Sequence, residues 1–147
     1  MQRPIVFEGD PRVRIKTEKV ADPTLPEIQQ LIDDMIETMH KNQGIGLAAT
    51  QIGRTESIAI AHLHEEDIAL INPEIIEKSE DKILDDEGCL SAPGLQGKVD
   101  RAAHVKVHAL DRTGQPIEIE AEGLEARILQ HEIDHLNGIL CIDYFDK

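Results

Sequence analysis

Two histidines four residues apart carry the plainest chemistry in this 147-residue chain, in the run His131-Glu132-Ile133-Asp134-His135. On a helix that spacing stacks both imidazoles on one face, a turn apart, where one nitrogen from each can grip the same cation. Glu132 follows the first histidine too closely to share the ion easily. Its carboxylate does reach a water held beside it, which makes it the natural general base. The pattern reads as hydrolytic metal chemistry that still needs a third protein ligand, and the two cysteines, Cys89 and Cys141, are the candidates.

Each cysteine points to a different enzyme. His131, His135, Gly138 and Cys141 reproduce the spacing of the metzincin proteases, with cysteine replacing their third histidine. Only six residues follow Cys141, too few for the methionine-bearing turn that supports such a site, and Ile139-Leu140-Cys141-Ile142 is an apolar run in which a thiol normally belongs to the core. Cys141 is therefore expected to be structural. A protease using Cys141 and a noncatalytic metal-binding module are the competing readings.

Cys89 lies within Glu87-Gly88-Cys89-Leu90-Ser91. Two other runs accompany it: Gly44-Ile45-Gly46-Leu47-Ala48-Ala49-Thr50-Gln51, and Gln130-His131-Glu132-Ile133-Asp134-His135-Leu136-Asn137-Gly138. Together, and in this order, the three segments resemble the signature segments of the peptide deformylases, and the likeness extends over nearly the whole chain. The resemblance implies a hydrolase that removes the formyl group from the initiator methionine of nascent polypeptides and releases formate. It implies one divalent ion held by Cys89, His131 and His135 with a fourth position left open for catalysis. The resemblance implies Fe2+ as the native ion, commonly replaced by Zn2+, Ni2+ or Co2+. Glu132 would act as base and then as acid, while the Gln51 side-chain amide and the Leu90 backbone N–H would stabilise the oxyanion. The Ile45-Gly46 backbone, with Gly88 beside the cysteine, would hold the peptide in the manner of an added strand. Arg101 matches a family arginine near the peptide groove, although a surface ion pair is an equal reading.

Selectivity for methionine requires an apolar pocket, and helical spacing places Leu124, Arg127 and Ile128 on the face shared by the two histidines. Arg127 departs from the apolar residue expected there. Either its stem lines the pocket while its head reaches solvent, or the pocket has another shape.

The elements that must position these groups are legible in outline. Ile28, Leu31, Ile32, Met35, Ile36 and Met39 form one face of an amphipathic helix from about Pro26 to Asn42, with Thr24 a possible cap and Gly44 as terminator. Short β-type runs follow at Ser57–His62, at Ile68–Asn72, which Pro73 should stop, and at Val105–Leu110 and Ile117–Ala121. The last two flank the turn Asp111-Arg112-Thr113-Gly114. From about Leu124 to Asn137 the pattern is helical again, closed by Gly138. The expectation is one α+β domain spanning residues 1–147, with antiparallel strands packed around a central metal-bearing helix and an N-terminal amphipathic helix. His40, His62, His64, His104 and His108 read as surface or strand positions.

Composition limits the partners. With 29 acidic and 15 basic residues the formal charge is −14, which repels phosphate backbones and anionic membranes. N-formylmethionyl peptides are the expected partner, and direct nucleic-acid binding is not expected. No stretch approaches a membrane span and the start of the chain has no signal-peptide character, so a cytoplasmic location is expected. Many bacterial deformylases continue beyond the point matching Lys147 into a basic helix that docks on the ribosome, and docking of that kind is not expected here. Two Phe, one Tyr and no Trp leave the core to aliphatic residues.

Overall fold

The apolar spacing near the N-terminus does form a helix, α1 (Pro26–Lys41), in the computed structural model, which describes residues 1–145. Its cap differs from the expectation. Leu25 occupies the cap position and the Thr24 hydroxyl is engaged with Asp22 at 2.6 Å, because Pro26 in the first turn has a preset φ and no N–H to satisfy. The helix ends at Lys41, and the residue that takes the left-handed conformation after it is Gln43 (φ 58°), one before the expected glycine.

Seven strands follow α1: β1 (Gly46–Ala48), β2 (Ile58–Leu63), β3 (Glu66–Lys78), β4 (Lys82–Glu87), β5 (Gly97–Ala102), β6 (His104–Leu110) and β7 (Pro116–Glu122). All pairings between them are antiparallel, in a five-stranded sheet of order β1-β2-β3-β6-β7 and a separate β4-β5 hairpin. The second helix, α2 (Gly123–Leu136), leaves β7 directly and is closed by Gly138 in the left-handed conformation (φ 79°). This is the mixed architecture of helices and antiparallel strands that the sequence pattern calls for.

Pro73 does not stop its strand. β3 continues to Lys78 across a shift of register between Ile71 and Glu74, where Asn72 sits at φ 54° and its side chain bonds the backbone of Val20 at 2.8 and 3.0 Å. A bulge removes the residue lacking an N–H from the ladder, so the strand survives it. The Asp111–Gly114 turn joins β6 to β7 as expected, with Asp111 Oδ1 accepting from the Thr113 and Gln115 amides at 2.9 and 3.0 Å.

Alternation along β2 explains the layers. Ile58 and Ile60 point to the α1 side, where Leu31, Ile32, Met35 and Met39 meet them in one buried cluster. Ala61 and Leu63 point the other way, toward Leu129 and Ile133 of α2. Ala48 and Ala59 are fully buried beneath Leu136, and such small residues let α2 lie close to the sheet. Among the described residues no helix is long and apolar enough to cross a membrane.

Candidate metal centre

α2 projects His131 and His135 toward the loop after β4, and the three expected ligands meet. The Cys89 Sγ lies 3.3 Å from His135 Nε2, which lies 3.1 Å from His131 Nε2. The three donor atoms fall within 4.8 Å of one another, with both histidines buried and Cys89 half-buried. Glu87 sets the orientation of His131. Its carboxylate, held down at about 2 by Arg101 and His131 despite the opposing effect of burial, can only accept, so His131 Nδ1 donates to it at 2.8 Å and Nε2 is left facing the site.

This donor set fits a divalent cation. Two imidazole nitrogens and a sulfur face one another at hydrogen-bond range with one proton at most between the rings. Burial opposes a proton on His131, but Glu132, Cys89 and Glu87 outweigh it and raise that ring, while burial and the charge of His131 push His135 well below its ordinary range. A cation bound by all three donors would remove that frustration, and mixed sulfur and nitrogen ligands suit Fe2+, Zn2+, Co2+ or Ni2+ alike. The other close group is Glu87, His131 and Cys141, of which Cys141 does not line the cavity. The Glu87 carboxylate is already bonded to Arg101, Arg127 and His131, and Cys141 is buried with its thiol pushed up to about 12 by burial, as befits a core residue.

Glu132 has the marks of a general base. It is buried, its Oε1 has no hydrogen-bond partner among the described residues, and burial raises its carboxyl to about 7. Its Oε2 sits 4.0 Å from His131 Nε2. Gly46 makes room for it, since a Cβ there would lie 2.3 Å from that same oxygen. The carboxylate of Glu132 therefore fills the space that a side chain at position 46 would need.

A cavity of about 480 Å3 opens in front of these groups, lined by Ile45, Gly46, Gln51, Gly88, Cys89, Leu90, Leu124 and Ile128 among others. Gln51 is aimed by its own amide: Oε1 accepts from Ala48 N–H at 2.9 Å, which turns Nε2 toward Cys89 Sγ at 3.5 Å and Ser91 Oγ at 3.3 Å. The Leu90 N–H donates to no acceptor among the described residues. β1 is an edge strand, and His62 N–H donates to Ile45 C=O at 2.9 Å. By antiparallel alternation Gly46 then turns its own N–H and C=O to the open edge, beside the cavity. Ile128 is buried in the wall, and Leu124 is exposed at the rim.

Two arginines turn their heads into the protein. Arg101 does not line the cavity: its guanidinium is bonded to Glu87 at 2.8 and 2.9 Å and paired with Asp134, the ion-pair reading, though buried and not at the surface. Arg127 does line the cavity, but its head turns inward to Glu87 and to the Val99 and Ile83 carbonyls, not to solvent. The sequence reading assigned no role to Glu87. A carboxylate two residues before a ligand cysteine, in a chain with two arginines in need of a buried partner, was the available signal.

A cysteine sulfur, an imidazole and a buried carboxylate lining one cavity, with a second imidazole in reach of the first two, are the groups of a metal-dependent hydrolase. The family model for polypeptide deformylase matches residues 2–147, and the chain belongs to that family, whose members remove the N-formyl group from nascent peptides. It is 50% identical over 143 residues to a peptide deformylase of Desulfitobacterium hafniense, covering 97% of this chain and 94% of that one. The crystal structure of the Thermotoga maritima peptide deformylase superposes with a TM-score of 0.96 at 36% identity, covering 100% of this chain and 99% of that one. A Met-Ala-Ser-bound class I type b peptide deformylase from Acinetobacter baumannii gives 0.93 at 34%, covering 97% and 99%.

Proposed function

We propose that this chain deformylates the initiator methionine of nascent polypeptides in the cytoplasm, through a divalent ion, natively Fe2+, held by Cys89, His131 and His135. The observation that carries this reading is the convergence of those three donor atoms within 4.8 Å, beside Glu132, whose Oε1 has no hydrogen-bond partner among the described residues. When bound, such an ion supplies Lewis acidity and brings the pKa of a coordinated water toward neutrality.

The chain's own groups do the rest. Gly46 pairs its free N–H and C=O with the peptide backbone, assisted by Ile45 and Gly88, while Leu124 and Ile128 receive the methionine side chain. Glu132 takes a proton from the attacking water, whose oxygen bonds to the formyl carbon. Charge collects on the formyl oxygen, where Gln51 Nε2 and the Leu90 N–H donate to it. Glu132 then passes its proton to the departing nitrogen as the C–N bond breaks, releasing formate and a free methionine amine. Arg101 acts through Glu87, holding the carboxylate that orients His131. The Met-Ala-Ser peptide in the related enzyme is of the size and chemistry that such a product requires.

The test separates the two cysteines. In anaerobically purified protein, Cys89→Ser should abolish tight metal binding and turnover of a formyl-methionyl peptide, while Cys141→Ser should keep both. Metal per chain, measured by elemental analysis, decides between them, and loss of metal by the Cys141 variant alone would transfer the site to the protease-like ligand set.

A further inference from the structure

The hairpin that carries the metal cysteine is poorly anchored by apolar packing. Along β4 only Glu87 is buried, and Ile83 and Leu84 are exposed, at 44% and 60%. β5 adds Val99 and Ala102 to the buried apolar residues. A two-stranded ribbon of this kind is marginal by itself, so something polar must hold it to the rest of the fold.

Besides the bond from His131 to Glu87, three side chains make that connection, two of them from α2. Gln130 pairs with the Ala102 backbone like a neighbouring strand, accepting at 3.0 Å and donating at 2.9 Å. Arg101 reaches from β5 to Asp134 on α2. Arg127 reaches the other way and touches the hairpin at three places with one planar head: Nη1 donates to Glu87 Oε2 at 2.7 Å and to the Val99 carbonyl at 2.8 Å, and Nη2 donates to the Ile83 carbonyl at 2.6 Å. Its side chain is only 8% exposed. Both strands of the hairpin, and the carboxylate that orients His131, thus end on a single guanidinium four residues before His131. Cys89 follows Glu87 by two residues.

We infer that Arg127 is a positioning residue for the metal centre: it bolts the cysteine-bearing β4-β5 hairpin to the histidine-bearing helix and so fixes the distance between the thiolate and the two imidazoles. Only a rigid fork can serve these acceptors at once, because an ammonium is a single point of charge on a flexible stem. The inference rests on the ligand assignment proposed above and asks what keeps those ligands together.

The test follows release of metal from the loaded protein to an excess of a chromogenic chelator, together with backbone amide hydrogen exchange. Groups that orient metal ligands typically affect metal affinity by about 10–100-fold, and release from Arg127→Met should accelerate by a factor in that range. Amides of residues 82–102 should lose protection while those of α1 and β6 keep it. Arg127→Lys retains the charge without the fork and should still release metal faster than the unaltered protein, which keeps the inference testable if the methionine variant does not fold. Release at the unaltered rate from either folded variant would overturn it, as would loss of protection spread evenly over the chain. Failure of the ligand reading would look different: Cys89→Ser would then retain its metal while the unaltered protein still bound one ion.

Discussion

At Gly46 a hydrogen atom occupies the space that any side chain would need, and what presses against it is the carboxylate assigned as the general base. A Cβ there would lie 2.3 Å from Glu132 Oε2, far inside contact distance, so the carboxylate would have to swing away. Gly46→Ala is expected to fold and to bind metal while losing turnover, because β1 has a backbone conformation open to alanine and only Glu132 is displaced. Glu132→Gln makes the complementary change, keeping shape but not basicity. It should retain one metal per chain and lose about 10²–10⁴-fold in kcat, toward the larger figure because one group serves both proton transfers. Steady-state kinetics on metal-replete protein read both, and near-normal turnover in the glutamine variant would remove Glu132 from the mechanism.

Among the elements, α1 owes part of its placement to an ionic latch at the start of the chain. Buried Asp34 receives the Met1 amine at 2.6 Å, Gln30 Nε2 at 2.8 Å and Arg3 Nε at 3.0 Å. Burial opposes its ionisation, but these donors hold its carboxyl down at about 2, against 3.8 when unperturbed. A carboxyl depressed in the folded state stabilises above its unfolded value and loses that contribution as pH falls through its folded one. Asp34→Asn should therefore lower Tm by a constant amount near neutral pH, and the gap to the unaltered protein should close between about pH 4 and 2. Thermal unfolding followed across that range measures it, and a gap that stays constant down to pH 2 would mean the latch carries no charge-dependent stability.

Over the whole molecule 29 acidic residues against 15 basic ones leave a charge of −14, which acts at a distance. Ribosomal RNA carries the same sign. Cosedimentation with ribosomes at low salt, where electrostatic attraction would be greatest, should be weak, whereas free formyl-methionyl peptides should be processed fully. Tight, salt-sensitive binding would reveal a local docking surface that the net charge conceals.

What could be read before folding were the features of short range. Both helices follow from periodicity, the β6-β7 turn from its Asp and Gly, and the proposed ligand trio from the resemblance of its two segments to those of the family. β4 could not be read, because Lys82-Ile83-Leu84-Asp85-Asp86-Glu87 has neither alternation nor a buried face, and its strand exists through pairing with β5 and anchoring to α2. The course of β3 past Pro73 depended on a bulge that Asn72 secures from another part of the chain. Arg127 and Arg101 illustrate the same limit at the site. A sequence gives the charge of a side chain but not the direction of its head, and that direction was decided by Glu87, 40 and 14 residues away, whose burial demands cations around it.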